Sequence, residues 1–292
     1  MKKRLKIRDD FLFQIFVNGF LLAVFLLIAI PLWRVFIMSV TPLRYLDKTF
    51  GLWIPPWKWS FEAYKQLFNH PAFLQATSNS VFITVVGVII SMILTVPLAY
   101  ALSNRKLPGR KFLIGVILVP FLFQAGLIPT YLVVQRLGLV DSLFAIILPG
   151  AVSVYNTLVM KSFFEGLPEE FKEAACLDGA NELQVLWHVI LPLSKPILLT
   201  ISLFYAVALW NEFFTPILYL NNNALTPLPV LLRNILMAAN INEYLEYDAF
   251  SNAPIQAFKA ASVFITMLPM VIVYPWIQRY FTKGTLLGGV KE

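Results

Sequence analysis

Five carboxylates crowd a 14-residue stretch of this chain: Glu169, Glu170, Glu173, Asp178 and Glu182. Acids so placed could do proton transfer or hold a metal, but either chemistry needs convergent partners. The two histidines, His70 and His188, lie far apart, and Cys176 is the single cysteine. A metal site is therefore not expected. No G-x-x-x-x-G-K-[ST] and no G-x-G-x-x-G occurs, so a phosphate cradle is missing too. If nucleotide energy is used, another chain must bind the nucleotide. An intramembrane Ser–His hydrolase has nothing beyond the presence of both residue types to support it, and His188 reads as a packed or solvated side chain. The remaining chemistry is recognition. Phe171 and Leu177 lie among the acids and Leu183, Leu186 and Trp187 follow them, which makes an amphipathic surface. Elsewhere Gln124, Asn156 and the run Trp210-Asn211-Glu212 place polar groups inside apolar segments.

Those segments set the frame. Of 292 residues, 59% are hydrophobic and 13% charged, about half the charge of a soluble domain. The mean hydropathy is +0.73. The expected fold is an all-α membrane protein, a single transmembrane domain over 1–292. A crossing needs about 20 apolar residues. Six segments qualify, at about Phe13–Met38, Asn79–Leu102, Phe112–Val134, Ser142–Phe163, Ile197–Leu220 and Ala260–Tyr280. The first follows MKKRLKIRDD, but its apolar run is too long for a cleaved signal and lacks a small-residue cleavage site. It reads as a retained helix.

Orientation follows from the basic residues. Lys2, Lys3, Arg4, Lys6 and Arg8 place the N-terminus in the cytoplasm, and Arg105, Lys106, Arg110 and Lys111 place the second-to-third loop there. The loop Glu165–Lys195 and the tail with Arg279, Lys283 and Lys291 then fall on the same side. The net charge of +7 fits this bias without any nucleic acid. Pro97, Pro120, Pro129, Pro149, Pro216 and Pro269 interrupt the spans. Each removes a donor, and the freed carbonyls must face protein or water rather than lipid. No internal repeat stands out, which disfavours a self-contained secondary transporter.

The acidic loop has a readable anatomy. Gly166-Leu167-Pro168 ends one helix, and Pro168 suits the first turn of the next. Glu169 and Glu170 sit near its positive end. Phe171, Ala174 and Ala175 form a stripe. Gly179 is placed to take the left-handed conformation that ends a helix. Asn181 with Gln184 spells a capping box, and Leu183, Leu186, Trp187 and Ile190 give the second helix an apolar face. A helix resting on headgroups would be basic, whereas five acids oppose one Lys172 between Glu169 and Gln184. A protein partner is the expected neighbour.

The stretch EAACLDGANELQVLWHVILP resembles the E-A-A-x-x-D-G-A…I-x-L-P signature of membrane subunits of binding-protein-dependent ABC importers. Glu173, Ala174, Ala175, Asp178, Gly179, Ala180, Leu191 and Pro192 fall in register, while Leu186 and Val189 replace the common Phe and Ile. The resemblance implies that loop 165–196 is a coupling helix docking into a cleft on an ATPase subunit. ALWNEFFTPILYL and YPWIQRYFTKGTLLGGVKE are similar to the carbohydrate branch, in the class of the smaller maltose-type permease, with a finer likeness to permeases for alginate or pectin oligosaccharides. Implied with it are a second homologous permease, two ATPase subunits using ATP and Mg, an extracytoplasmic solute-binding protein, an oligosaccharide substrate and a bacterial plasma membrane. No cofactor or catalytic group is implied for this chain. The same signature also serves permeases for peptides and other solutes, and a standalone channel or carrier would leave the acidic loop unexplained.

Two roles stand open for the embedded polar residues. Trp210 can stack on a sugar and Asn211 bond its hydroxyls, with Glu212 facing the path. Alternatively, Glu212 serves a structural network or caps a helix broken near Pro216. Gln124 and Asn156 can line a path or bond between helices. Arg34 and Lys259 read as snorkelling or as a positive outer mouth beside Asp47, Glu62, Glu243, Glu246 and Asp248. Trp53, Trp57 and Trp59 read as an aromatic belt or a binding-protein dock. Val230–Met237 is amphipathic, and Gly284, Gly288 and Gly289 would let the tail approach another backbone closely.

Overall fold

The computed structural model describes residues 2–42, 45, 53–123, 125–237 and 254–288. These form fourteen α-helices: α1 Lys2–Ser39, α2 Glu62–Asn69, α3 Pro71–Ser103, α4 Arg110–Leu122, α5 Leu127–Arg136, α6 Phe144–Ile147, α7 Val154–Glu165, α8 Glu170–Leu177, α9 Glu182–Val185, α10 Leu191–Leu193, α11 Lys195–Trp210, α12 Phe214–Tyr219, α13 Leu228–Met237 and α14 Ile255–Gly288. A π-helical turn, Leu186–Ile190, joins α9 to α10.

The six expected crossings are realised unequally. Three helices are long and apolar enough to span: Phe13–Ser39 of α1, Pro71–Ser103 and Ile255–Val273 of α14, with up to five spans if two bent helix pairs count as one each. The segment 112–134 is divided between α4 and α5, with Pro120 inside the first. The segment 142–163 is only one turn of helix before Pro149-Gly150 break it, and α7 restarts at Val154 with Ser153 as its N-cap. The segment 197–220 breaks at Asn211-Glu212-Phe213. Polar, glycine and proline residues at these points offer the backbone alternatives that uninterrupted apolar sequence does not.

The chain divides into two compact units, Met1–His70 with Asn234–Met267 and Pro71–Arg233 with Leu268–Glu292. In the first, Ser39 Oγ and Tyr64 Oη lie 2.5 Å apart, and Ser60 N–H donates to the Val40 carbonyl at 2.9 Å. Trp59 donates to the Ile54 carbonyl and sets its edge on Phe36, while Trp53 and Trp57 are exposed. Lys259 Nζ donates to the Leu236 carbonyl, capping the last turn of α13. Arg34 is exposed.

In the second unit α3 is the central post. Gly87 lets α11 approach it closely. One apolar core takes Ala99 from α3, Met160 and Phe164 from α7, Ile201 and Tyr205 from α11, and Val185, Leu186 and Ile190 from the acidic loop. At the far end of α3, Asn79 donates to the carbonyls of Ala224 and Thr226, and Ser80 accepts from Leu228 N–H. Asp141, at φ 59°, donates its amide to the Tyr219 carbonyl and accepts from the amides of Asn221 and Asn222. The connection after α12 is thus tied down by side chains from helix α3 and from the loop at Asp141.

Candidate functional site

The loop 165–196 is a helix–turn–helix fixed at both ends. Pro168 lies just before the helix rather than in its first turn, and Glu169 is the N-cap. Helix α8 ends in a Schellman motif: Ala180 N–H donates to the Ala175 carbonyl and Gly179 N–H to that of Cys176, with Gly179 at φ +84°. The capping box forms as its sequence requires, with Gln184 N–H on Asn181 Oδ1 at 2.9 Å and Asn181 N–H on Gln184 Oε1 at 2.8 Å. The second helix then turns by 86° at Ser194 into α11.

Its apolar residues face two ways rather than one. Leu186, Ile190 and the unanticipated Val185 are buried in the bundle core, whereas Leu183 and Trp187 are 67% and 66% exposed. Removing each inward side chain from water is worth about 1.5–3 kcal/mol, so α9 and the π turn are bonded to the bundle. Helix α8 has no buried residue. Phe171 and Leu177 stand exposed beside Glu173, Ala174, Asp178 and Gly179. Ala175 and Ala180 are partly covered by the core. His188 is exposed, with Nδ1 3.1 Å from the Gln184 carbonyl.

Around this loop lies a cavity of about 500 Å³, walled by Tyr100, the 103–106 turn, Glu165, Glu169, Lys172, Glu173 and Glu182. Tyr100 Oη donates to Glu182 Oε2 at 2.7 Å. Arg110 Nε caps the Leu102 carbonyl at 2.8 Å, and its guanidinium pairs with Glu165, which also takes Lys161 Nζ at 2.9 Å. Burial alone would raise the Glu165 carboxyl, but the hydrogen bond and charge of Lys161, with the charges of Arg110 and Arg105, hold it below its ordinary value. None of the sequence signals pointed to Tyr100, because its partner is 82 residues away.

The embedded polar residues do not converge. Trp210 is 5% exposed, so its ring faces the chain's own interior. Glu212 Oε1 accepts from the amides of Phe214 and Thr215 at 3.1 and 3.0 Å, capping α12. Asn211 is exposed and donates to the Val207 carbonyl. Gln124 lies outside the described residues, as do Asp47, Glu243, Glu246, Asp248 and Gly289. Asn156 is buried and lines an open cavity of about 380 Å³ with Ser153, Tyr205, Tyr155 and Phe204. The last two, aromatic and exposed, were not singled out from the sequence. Above Asn156 a buried relay holds the helix break. Thr95 Oγ1 lies 2.7 Å from Tyr205 Oη, which accepts from Ser153 N–H at 2.9 Å.

The described residues form an all-helical membrane protein with the second half of a helix–glycine turn–helix set into its bundle core. Residues 72–286 match the family model described as binding-protein-dependent transport system inner membrane component. The chain belongs to that family of multi-pass bacterial inner-membrane permeases. It is 41% identical over 283 residues to the polygalacturonan/rhamnogalacturonan transport system permease protein YtcP of Bacillus subtilis (strain 168), covering 96% of this chain and 98% of the relative. Protein LplC of the same organism is 42% identical over 243 residues, 82% of each chain. Among solved structures, a chain of a bacterial ABC transporter involved in the import of the acidic polysaccharide alginate superposes with a TM-score of 0.86 at 35% identity, covering 94% of this chain and 98% of that one.

Proposed function

We propose that this chain is one of two permease subunits in an importer of acidic oligosaccharides and that loop 165–196 is its coupling joint. The observation carrying the reading is the two-faced loop. Val185, Leu186 and Ile190 belong to the bundle core, while Phe171, Leu177 and Trp187 face outward with the acids. A load applied to the outer face of the second helix therefore reaches α3, α7 and α11 directly. Glu173, Ala174, Ala175, Asp178, Gly179 and Ala180 form the joint against an ATPase subunit, two copies of which hydrolyse Mg-bound ATP. A solute-binding protein delivers sugar from outside. This chain needs no cofactor of its own.

The relatives support the cargo class: one is named for polygalacturonan and rhamnogalacturonan, and the superposing structure concerns alginate import. Polygalacturonan and alginate are uronic-acid polymers, and rhamnogalacturonan carries galacturonate as well. The chain acts as one permease domain crossing six times with both termini cytoplasmic. In this reading α4–α5, α6–α7 and α11–α12 are broken crossings whose free backbone groups face a wet path. Asn156 with Tyr155 and Phe204 offers hydrogen bonds and aromatic faces along it. Asn211 and Glu212 border the third break. Trp210 supports that break from within, and Gln124 belongs to the first.

The test is ATP hydrolysis by the reconstituted assembly with its binding protein, comparing oligogalacturonate and alginate fragments with neutral maltodextrins, in wild type and Gly179→Pro. Stimulation by the acidic sugars that is lost in the variant is the expected result. Stimulation by maltodextrin alone overturns the cargo, and stimulation that survives the variant overturns the joint.

A further inference from the structure

We infer that Tyr100 is the positioning residue that locks the coupling joint to the central helix α3, through its hydroxyl on Glu182 and its ring beneath Lys172. This rests on the reading of loop 165–196 as the joint. Helix α8 buries no side chain, and a cavity of about 500 Å³ opens beside it. Only Ala175 of α8 and Ala180 past the turn touch the edge of the core, so packing resists a tilt of α8 about the left-handed turn at Gly179 only weakly. Tyr100 crosses that gap. Its hydroxyl donates to Glu182 Oε2 at 2.7 Å, on the first residue of α9. Lys172 Nζ of α8 stands 5.3 Å from the centre of its ring, within cation–π range. The ring in turn sets its edge on Phe164 of α7, centroids 6.3 Å apart. One side chain thus joins both halves of the helix–turn–helix to two helices of the bundle.

The position on α3 gives the lock its use. Ala99, one residue before, lies in the core with Val185, Leu186 and Ile190. Thr95, five residues before, bonds Tyr205, and Tyr205 holds the broken helix start at Ser153. A tilt of α8 is therefore passed along α3 to the break beside Asn156. A phenylalanine at position 100 keeps the ring and its contacts with Lys172 and Phe164 but cannot hold Glu182. It should leave the subunits assembled while releasing from α3 the start of α9, the anchor from which α8 hangs.

The experiment uses the full transporter in proteoliposomes and reads sugar moved per ATP hydrolysed, with oligogalacturonate as probe, in wild type, Tyr100→Phe, Glu182→Ala, their combination and Gly179→Pro. A nitroxide on Cys176, exposed on α8, reports loop mobility independently of cargo. The inference expects Tyr100→Phe to lower the ratio about fivefold, the size of one ordinary net hydrogen bond, because the Tyr100–Glu182 bond is exposed to water. Glu182→Ala should add nothing further in that background, and the label should become more mobile. If Gly179→Pro is impaired while Tyr100→Phe keeps the wild-type ratio and label spectrum, the lock is refuted and the joint stands. If both variants match wild type, the joint fails and the lock fails with it.

Discussion

Tyr205→Phe should cost more stability than the loss of one oxygen suggests. The hydroxyl is buried, with Tyr205 4% and Thr95 0% exposed. It serves two partners at once, Thr95 Oγ1 at 2.7 Å and the Ser153 amide at 2.9 Å. Phenylalanine leaves a backbone N–H without an acceptor, at about 2 kcal/mol, and a threonine hydroxyl without a partner, at about 1 kcal/mol. The sum is about 3 kcal/mol. Thr95→Val alone removes one bond and should cost about 1 kcal/mol. The double variant orphans only the Ser153 amide and should cost about 2 kcal/mol, less than Tyr205→Phe by itself. Equilibrium unfolding in mixed micelles reads these differences, and the double-mutant cycle isolates a coupling of about 2 kcal/mol. A Tyr205→Phe protein within about 0.5 kcal/mol of wild type, or strictly additive singles, would refute the relay.

Three further outcomes follow from the same geometry. At Gly179 an added Cβ meets open space, so any penalty is backbone strain alone. Alanine should cost about 1 kcal/mol, asparagine less and valine more, read as faster amide exchange at Gly179 and Ala180. A Cβ on Gly87 would fall 2.5 Å from Leu209 Cδ1. Leu209 can swing away from alanine at about 1 kcal/mol, whereas isoleucine should force α3 and α11 apart at about 2–3 kcal/mol, measured by thermal unfolding in detergent. The Glu165 carboxyl titrates below its ordinary 4.5. Its contribution is therefore complete above that value and lost as pH falls through the lower, folded one. Arg110→Gln should flatten the pH dependence of unfolding below the ordinary 4.5, with a difference of about 1 kcal/mol or less.

How much of this was legible in the sequence depends on how far apart the partners lie. Gly179 and the Asn181–Gln184 box were readable because a Schellman turn and a capping box are written within six residues. The two faces of the second helix were not. Leu183, Leu186, Trp187 and Ile190 look equivalent as apolar letters, and only the packing of α3, α7 and α11 decides which of them enters the core. Thr95 and Tyr205 are 110 residues apart, beyond any local pattern. Hydropathy found apolar stretches of the right length but could not tell a straight helix from one broken at Pro149-Gly150 or Asn211-Glu212, since average hydropathy ignores the backbone. Glu212 illustrates the same gap: its cost inside an apolar run was evident, while its local use as a cap depends on where the helix stops.

The π turn at Leu186–Ile190 has a consequence for how this protein can vary. Leu191 N–H bonds the Leu186 carbonyl, five residues back, and the widening moves the carbonyl that Pro192 would otherwise strike. Deleting one residue from this turn would restore ordinary helical winding and swing everything upstream by about 100°, carrying Glu182 off its bearing on Tyr100. The aim of the joint is thus stored as a residue count, like a vernier setting, rather than in any one side chain. Exchanges of residue type within 186–190 should be forgiven far more readily than a change of length, and segments grafted from relatives will work only if they keep the tally.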